Sequence, residues 1–479
     1  MNIIPEQIGL RYFCAKHLDA FLTTQQTENR TCSPISLYLA LTILAEIADE
    51  HTRAQILPIL GVRDIDSLRT STRDLLRGDG GSQDADACQL ASALWLSDQF
   101  SYQQTLLETL KEWYDTDHFR GTMGSEQFNQ TFQTWLNQQT GSMLQESVKA
   151  LQFDASTVLG LTTTAFYQTK WLDEFHVEDT VQDLFYSPNG KMYCDFISQS
   201  GDDDLYWGER FSAITQPLDD GGEMWFFLPD KGVPVESLWS DQEVQRLVRA
   251  PLEWAKSKRI RLNLNRFIPK FDIQTDLDLK PIFQSLGLNL QSLGLDDLVR
   301  SQHNSGKIPV EVSQAKHAAR VMIDEKGCAA AVFTHIGMAP SATMLPEELT
   351  ELDFVLNRPF LFVLTRRDNM PLFVGIVRQP LPGTPGTPVR EKKHDWMLDK
   401  WRKEKPPERE TRKKRLSELF PHPILAIVLS FLWIGILCSF GFTKEQRKVF
   451  FRYWLLFLFI KSILYGLIWC FWYLAHGPF

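Results

Sequence analysis

Apolar residues recur at helical spacing over 8–22 and again over 34–60, where Ser33 and Pro34 supply a capping hydroxyl and a first-turn proline. A polar Gly/Asp/Ser loop follows at 78–86, and helical patterns return over 103–116 and 125–147. From 157 onward the period shifts toward two. Strands are expected over 157–166, 222–228, 259–264, 307–312, 319–323, 360–365 and 372–377. Helices first and strands later, without βαβ alternation, place the chain in the α+β class.

The pattern changes after Pro380. Residues 381–388 (LPGTPGTP) read as a linker, and 389–419 are highly charged and partly helical on either side of Pro406 and Pro407. Two apolar stretches follow. The first, 424–442, has no charge and would span about 28 Å as a helix. The second, 453–475, carries only Lys461, with Tyr453, Trp454, Trp469, Trp472 and Tyr473 mostly near its ends, as interfacial aromatics sit. The expected organisation is a globular domain over 1–380, a linker over 381–420 and a two-helix membrane hairpin over 421–479. Lys461 is costly at a helix centre, so it should face the partner helix or another subunit, which allows self-association through the hairpin.

Charge sharpens this division. The total is −9, but 381–420 carries 12 Lys/Arg against 7 Asp/Glu and 421–479 carries 5 against 1, leaving about −18 on residues 1–380. An acidic body argues against nucleic-acid binding. The basic charge lies beside the hydrophobic tail, which points to lipid headgroups and a bilayer partner. The first residues lack a charged n-region and a continuous apolar core, so no secretory leader is expected. Together with the basic linker this favours a cytoplasmic globular part, with the extracellular side as the alternative. The cysteines 14, 32, 88, 194, 328, 438 and 470 form no C-x-x-C pair and read as scattered buried thiols.

No nucleophile elbow, zinc-protease helix or phosphate loop occurs, so the sequence points away from an enzyme and implies neither cofactor nor metal. Asp202, Asp203 and Asp204, with Asp219 and Asp220, lack the spacing of a calcium loop and read as solvated turns.

Residues 324–334 (DEKGCAAAVFT) are unusual, because a strand there gives way to small residues after a glycine. At strand spacing Cys328, Ala330, Val332, Thr334 and Ile336 share one uncharged face, fit for burial in a sheet. Ala329, Ala331, Phe333 and His335 share the other, and Gly327 would supply the pivot. Further segments fall in order along 8–380: NRTCSPIS at 29–36, TRAQI at 52–56, ASALW at 91–95 and TTAFYQTKW at 163–171. PKF at 269–271, LG at 286–287, KH at 316–317, RPFLF at 358–362 and LFVGIV at 372–377 continue the series. In content and spacing they resemble the serpin family of serine protease inhibitors.

The resemblance implies an α+β serpin fold: three β-sheets, eight to nine helices and an exposed reactive loop. It implies a target serine protease that forms a covalent acyl-enzyme with the loop, after which the loop enters the main sheet as a new strand. The implied hinge is Glu325, Gly327, Cys328, Ala329, Ala330, Ala331 and Val332. The implied breach, where the loop first enters, is at Lys170 and Trp171, and the shutter beneath the sheet involves Ser33, Ser36, Thr163 and His317. Counting seventeen residues from Glu325 puts the reactive bond at Ser341–Ala342, with Met338 and Met344 as rival bait residues. A small bait residue suits elastase-like or subtilisin-like pockets. Thr163, Ala318 and Cys328 stand where the family has asparagine, lysine and threonine. The alternative is a non-inhibitory serpin acting as a membrane-anchored binding or chaperone-like module.

Overall fold

The computed structural model describes residues 8–23, 28–77, 88–251, 254, 258–288, 294–295, 298–301, 315–328 and 351–385. The chain divides into units Met1–Glu404 and Lys405–Phe479, and every described residue belongs to the first.

The apolar pattern over 34–60 becomes two helices, Pro34–Ile47 and Glu50–Ile59, rather than one. The break is chemical: Asp49 takes an extended conformation and its carboxylate accepts the Thr52 N–H at 2.8 Å, capping a new helix. Ser33 caps the first of the pair, whose residues are nearly all buried, as expected of a helix apolar all round. Helices Ile8–Leu22 and Gln104–Tyr114 lie where the periodicity puts them, while 125–147 resolves into Glu126–Gln139 and the short Gln145–Lys149. Nine α-helices occur among the described residues.

The strands form a nine-stranded sheet and smaller sheets of four, three and two strands among the described residues. This differs from the expected three, for two reasons. The long strand Gly190–Trp207 pairs through Phe196–Tyr206 with the whole of Arg259–Pro269, and this fuses what would be two sheets into one. The remaining large sheet is divided by its hydrogen bonds. One part orders Phe271–Asp278, Lys316–Ile323, Gly327–Cys328 and Thr169–Lys170; the other orders Asp117–Gly121, Cys88–Ser97 and Leu159–Tyr167. A single chain run, 159–170, contributes to both. The strands Phe360–Thr365 and Pro371–Val377 are buried at every residue, which explains their unbroken apolar sequence. Beside the divided sheet, Trp95 stacks on Phe119 at 4.4 Å and meets Phe132 and Trp135 of helix Glu126–Gln139 edge-on.

The acidic triplet corrects the reading of solvated turns. Asp202–Asp204 lies within strand Gly190–Trp207, and Asp203 binds the buried guanidinium of Arg266 at 2.7 Å. Asp219 and Asp220 do form a turn, but Asp220 accepts the Tyr167 hydroxyl at 2.5 Å. Period-two and turn patterns cannot register such long-range partners. The strand expected over 307–312, the reactive bond and both apolar stretches of the tail lie outside the described residues. Among those residues no helix is long and apolar enough to cross a membrane.

Candidate functional site: the hinge and the shutter

After strand Lys316–Ile323 the chain turns sharply at 324–326. The Asp324 carboxylate accepts the N–H groups of Lys326 (2.8 Å) and Gly327 (3.2 Å), an Asx turn that reverses the backbone. Gly327 and Cys328 then pair antiparallel with Lys170 and Thr169 on one side, and Cys328 with Ile323 on the other. No direct pairing joins Leu159–Tyr167 to Lys316–Ile323, so this dipeptide is the described link between the two parts of the sheet.

Trp171 and the loop after it hold the turn from outside. The carbonyls of Asp324, Glu325 and Lys326 accept, in order, from the indole Nε1 of Trp171 (2.8 Å), the Phe175 N–H (2.9 Å) and the Trp171 N–H (3.1 Å). Lys170 pairs with Gly327 through its backbone. Its ammonium goes to the half-exposed Glu174, an exposed pair of small energetic weight. Glycine at 327 has a different reason from the pivot expected. Its φ is not positive; a Cβ there would overlap the Thr169 carbonyl and approach the Lys170 Cα to 2.7 Å.

Glu325, a hinge residue by sequence, is buried and receives Nζ of Lys270 at 2.5 Å and the Thr180 hydroxyl at 2.8 Å. Burial pushes its carboxyl up, but the bonds from Lys270, backbone and Thr180 outweigh that and hold it below the usual carboxylate range. Lys270 and Thr180 were missed as site residues. Lys270 lies in the PKF run at 269–271, yet only the fold shows that it meets Glu325, 55 positions later. Cys328 is buried with its thiol pushed up to about 12, which leaves it a small apolar side chain. Of the expected hinge, Ala329, Ala330, Ala331 and Val332 lie outside the described residues, as do Ser341 and Ala342.

The four residues expected at the shutter do converge. Ser33 sits at the start of helix Pro34–Ile47, and its N–H donates to Nε2 of His317 at 3.2 Å, which fixes the tautomer protonated at Nδ1. One turn on, the Ser36 hydroxyl lies 3.1 Å from the Thr163 hydroxyl, and Thr163 Oγ1 donates to the Ser36 carbonyl at 3.0 Å. Threonine thus ties strand Leu159–Tyr167 to helix Pro34–Ile47. Asn29, at the head of the same motif, binds backbone groups of Arg378 and Gln379 and so secures the chain after strand Pro371–Val377.

Burial lowers His317 to about 4, against about 6.5 in the unfolded chain. Between those values the unfolded chain binds a proton that the folded chain refuses. Stability is therefore full above pH 6.5 and falls by about 3 kcal/mol as the pH drops through 4. The urea midpoint is expected to decline between pH 7 and 4.5, and His317→Gln should remove that part of the decline. Equal slopes for the two proteins would exclude the assignment.

The fold and this hinge define a serpin architecture, and comparison with known proteins agrees. The family model for serpins (serine protease inhibitors) matches residues 9–380. The chain belongs to the serpin family, whose members are generally protease inhibitors and not enzymes. Serpin-Z1A of Triticum aestivum is 27% identical over 374 residues, covering 74% of this chain and 90% of that protein. The plasma serine protease inhibitor of Bos taurus is 26% identical over 383 residues, covering 78% and 90%. Among solved structures, the thermophilic serpin tengpin in its native state superposes with a TM-score of 0.66 at 19% identity, over 79% of this chain and 95% of that one; at that identity the likeness bears on the fold alone.

Proposed function

We propose that this serpin inhibits a serine protease with a small, apolar primary pocket by inserting its cleaved loop as a new strand between Leu159–Tyr167 and Lys316–Ile323. The observation that carries the reading is the hinge dipeptide. Gly327–Cys328 already makes the first rungs of such a strand, antiparallel to both neighbours. Carried forward in those registers, position 330 falls between Val321 and Tyr167, 332 between Ala319 and Ala165, and 334 between His317 and Thr163. Val321, Tyr167, Ala319 and His317 are buried, so the face starting at Cys328 is the one that would enter the core. Ala330, Val332 and Thr334 are uncharged and small enough to do so. Each new rung adds backbone hydrogen bonds, which supply the driving force. The bait bond is Ser341–Ala342, seventeen residues from Glu325, a strand of about 55 Å.

The same reading places the inhibitor beside a bilayer. Its support is the two apolar stretches 424–442 and 453–475 and the basic segment between them and the domain. The basic linker favours a cytoplasmic globular part, and Lys461 offers a point of self-association.

Mixing the full chain with an elastase-like protease should give an adduct resistant to SDS, with the released peptide beginning at Ala342. Cleavage of the loop with no adduct would overturn the inhibitory reading in favour of a binding module.

A further inference from the structure

The serpin match ends at residue 380, but the chain does not leave the domain there. The Leu381 N–H donates to the Lys270 carbonyl at 2.9 Å, and the Gly383 N–H to the Tyr193 carbonyl at 2.8 Å. The Thr384 hydroxyl accepts from the Gln182 amide. Gly383 is seated so closely that a Cβ would come within 2.7 Å of Asp195 Oδ1 and 2.9 Å of its backbone nitrogen. Residues 381–384 therefore form a strap laid along strand Gly190–Trp207, not a free linker.

The strap grips a critical residue. Lys270 is the joint between strands Arg259–Pro269 and Phe271–Asp278, which belong to different sheets. Its N–H donates to the Asp195 carbonyl at 2.9 Å, its carbonyl is held by Leu381, and its ammonium holds Glu325 at the hinge. Gly383 sits over the same Asp195. Strap, Lys270 and hinge thus form one chain of contacts.

We propose that residues 381–384 are a positioning element of the hinge, acting through Lys270 on Glu325, so that displacing the strap loosens the turn from which the loop would insert. It rests on the inhibitory reading only for its consequence. The 94 residues after 385 are then connected mechanically to the hinge, and whatever binds or pulls on them would reach it.

The test needs no protease, so it stands apart from the inhibitory reading. Gly383→Val in the full chain should raise amide exchange over 324–328 by on the order of tenfold, the weight of one or two lost hydrogen bonds. In a Lys270→Met background, where the link to Glu325 is already cut, the same substitution should change that exchange little. If Gly383→Val leaves the hinge unchanged, or acts equally in both backgrounds, the proposal is wrong. Should Gly383→Val reduce the yield of folded protein, Thr384→Ala, which removes only the tie to Gln182, takes its place in the cycle.

Discussion

Under the proposed loop-insertion mechanism, replacing Ala330 by Arg should turn an inhibitor into a substrate. If the loop inserts in the register that Cys328 makes with its neighbours, residue 330 would fall between Val321 and Tyr167, which are 3% and 4% exposed. A guanidinium there finds no carboxylate in the inserted strand, and the nearby Asp220 is already engaged by the Tyr167 hydroxyl, so burying it costs several kcal/mol. A penalty of about 3 kcal/mol on the insertion step slows it by on the order of a hundredfold. Hydrolysis of the acyl-enzyme then wins the race. The SDS-resistant adduct should disappear while cleavage of the loop continues. Arg at Ala329, on the opposite face beside Met322 and Gln168, should leave the adduct formed. If Ala330→Arg inhibits as the parent does, the face assignment is wrong.

The largest effect on stability is expected at Trp171. Its ring is 1% exposed and packs edge-on against Phe175 at 5.9 Å, and its indole N–H reaches the Asp324 carbonyl. Trp171→Ala removes a large buried ring, at a cost of about 3–5 kcal/mol. Trp171→Phe keeps most of the packing and loses the hydrogen bond, about 1 kcal/mol plus the unsatisfied carbonyl. Urea transitions of the two variants separate these contributions: packing dominates if the alanine variant falls well below the phenylalanine one. Exchange over 324–328 should rise in both, because both release the Asp324 carbonyl.

Legibility in the sequence followed the range of the interaction. Helix Ile8–Leu22 and strand Phe360–Thr365 came out at their sequence-derived bounds because periodicity is set within a few residues. The break at Asp49 was missed, although its signal is local: an acidic residue three before Thr52, within a run whose apolar pattern continues through it. The strand Gly190–Trp207 was missed because acidic residues interrupt its apolar pattern, and Asp203 is tolerated there only because Arg266 comes from a strand 63 residues away. The shutter was legible for a different reason. Ser33, Ser36, Thr163 and His317 lie in segments whose order and spacing match the family, so their meeting followed from the resemblance and not from local physics.

The sequence by itself determined the α+β class and the family. Each is carried by residue type at fixed spacing along the chain. Only the tertiary structure decided that Lys270 holds Glu325, that Gly327 is needed for close approach rather than for turning, and that the chain after 380 is strapped to the domain. Those facts depend on which backbone lies beside which, and strand register and sheet crossing set that between residues tens to hundreds of positions apart.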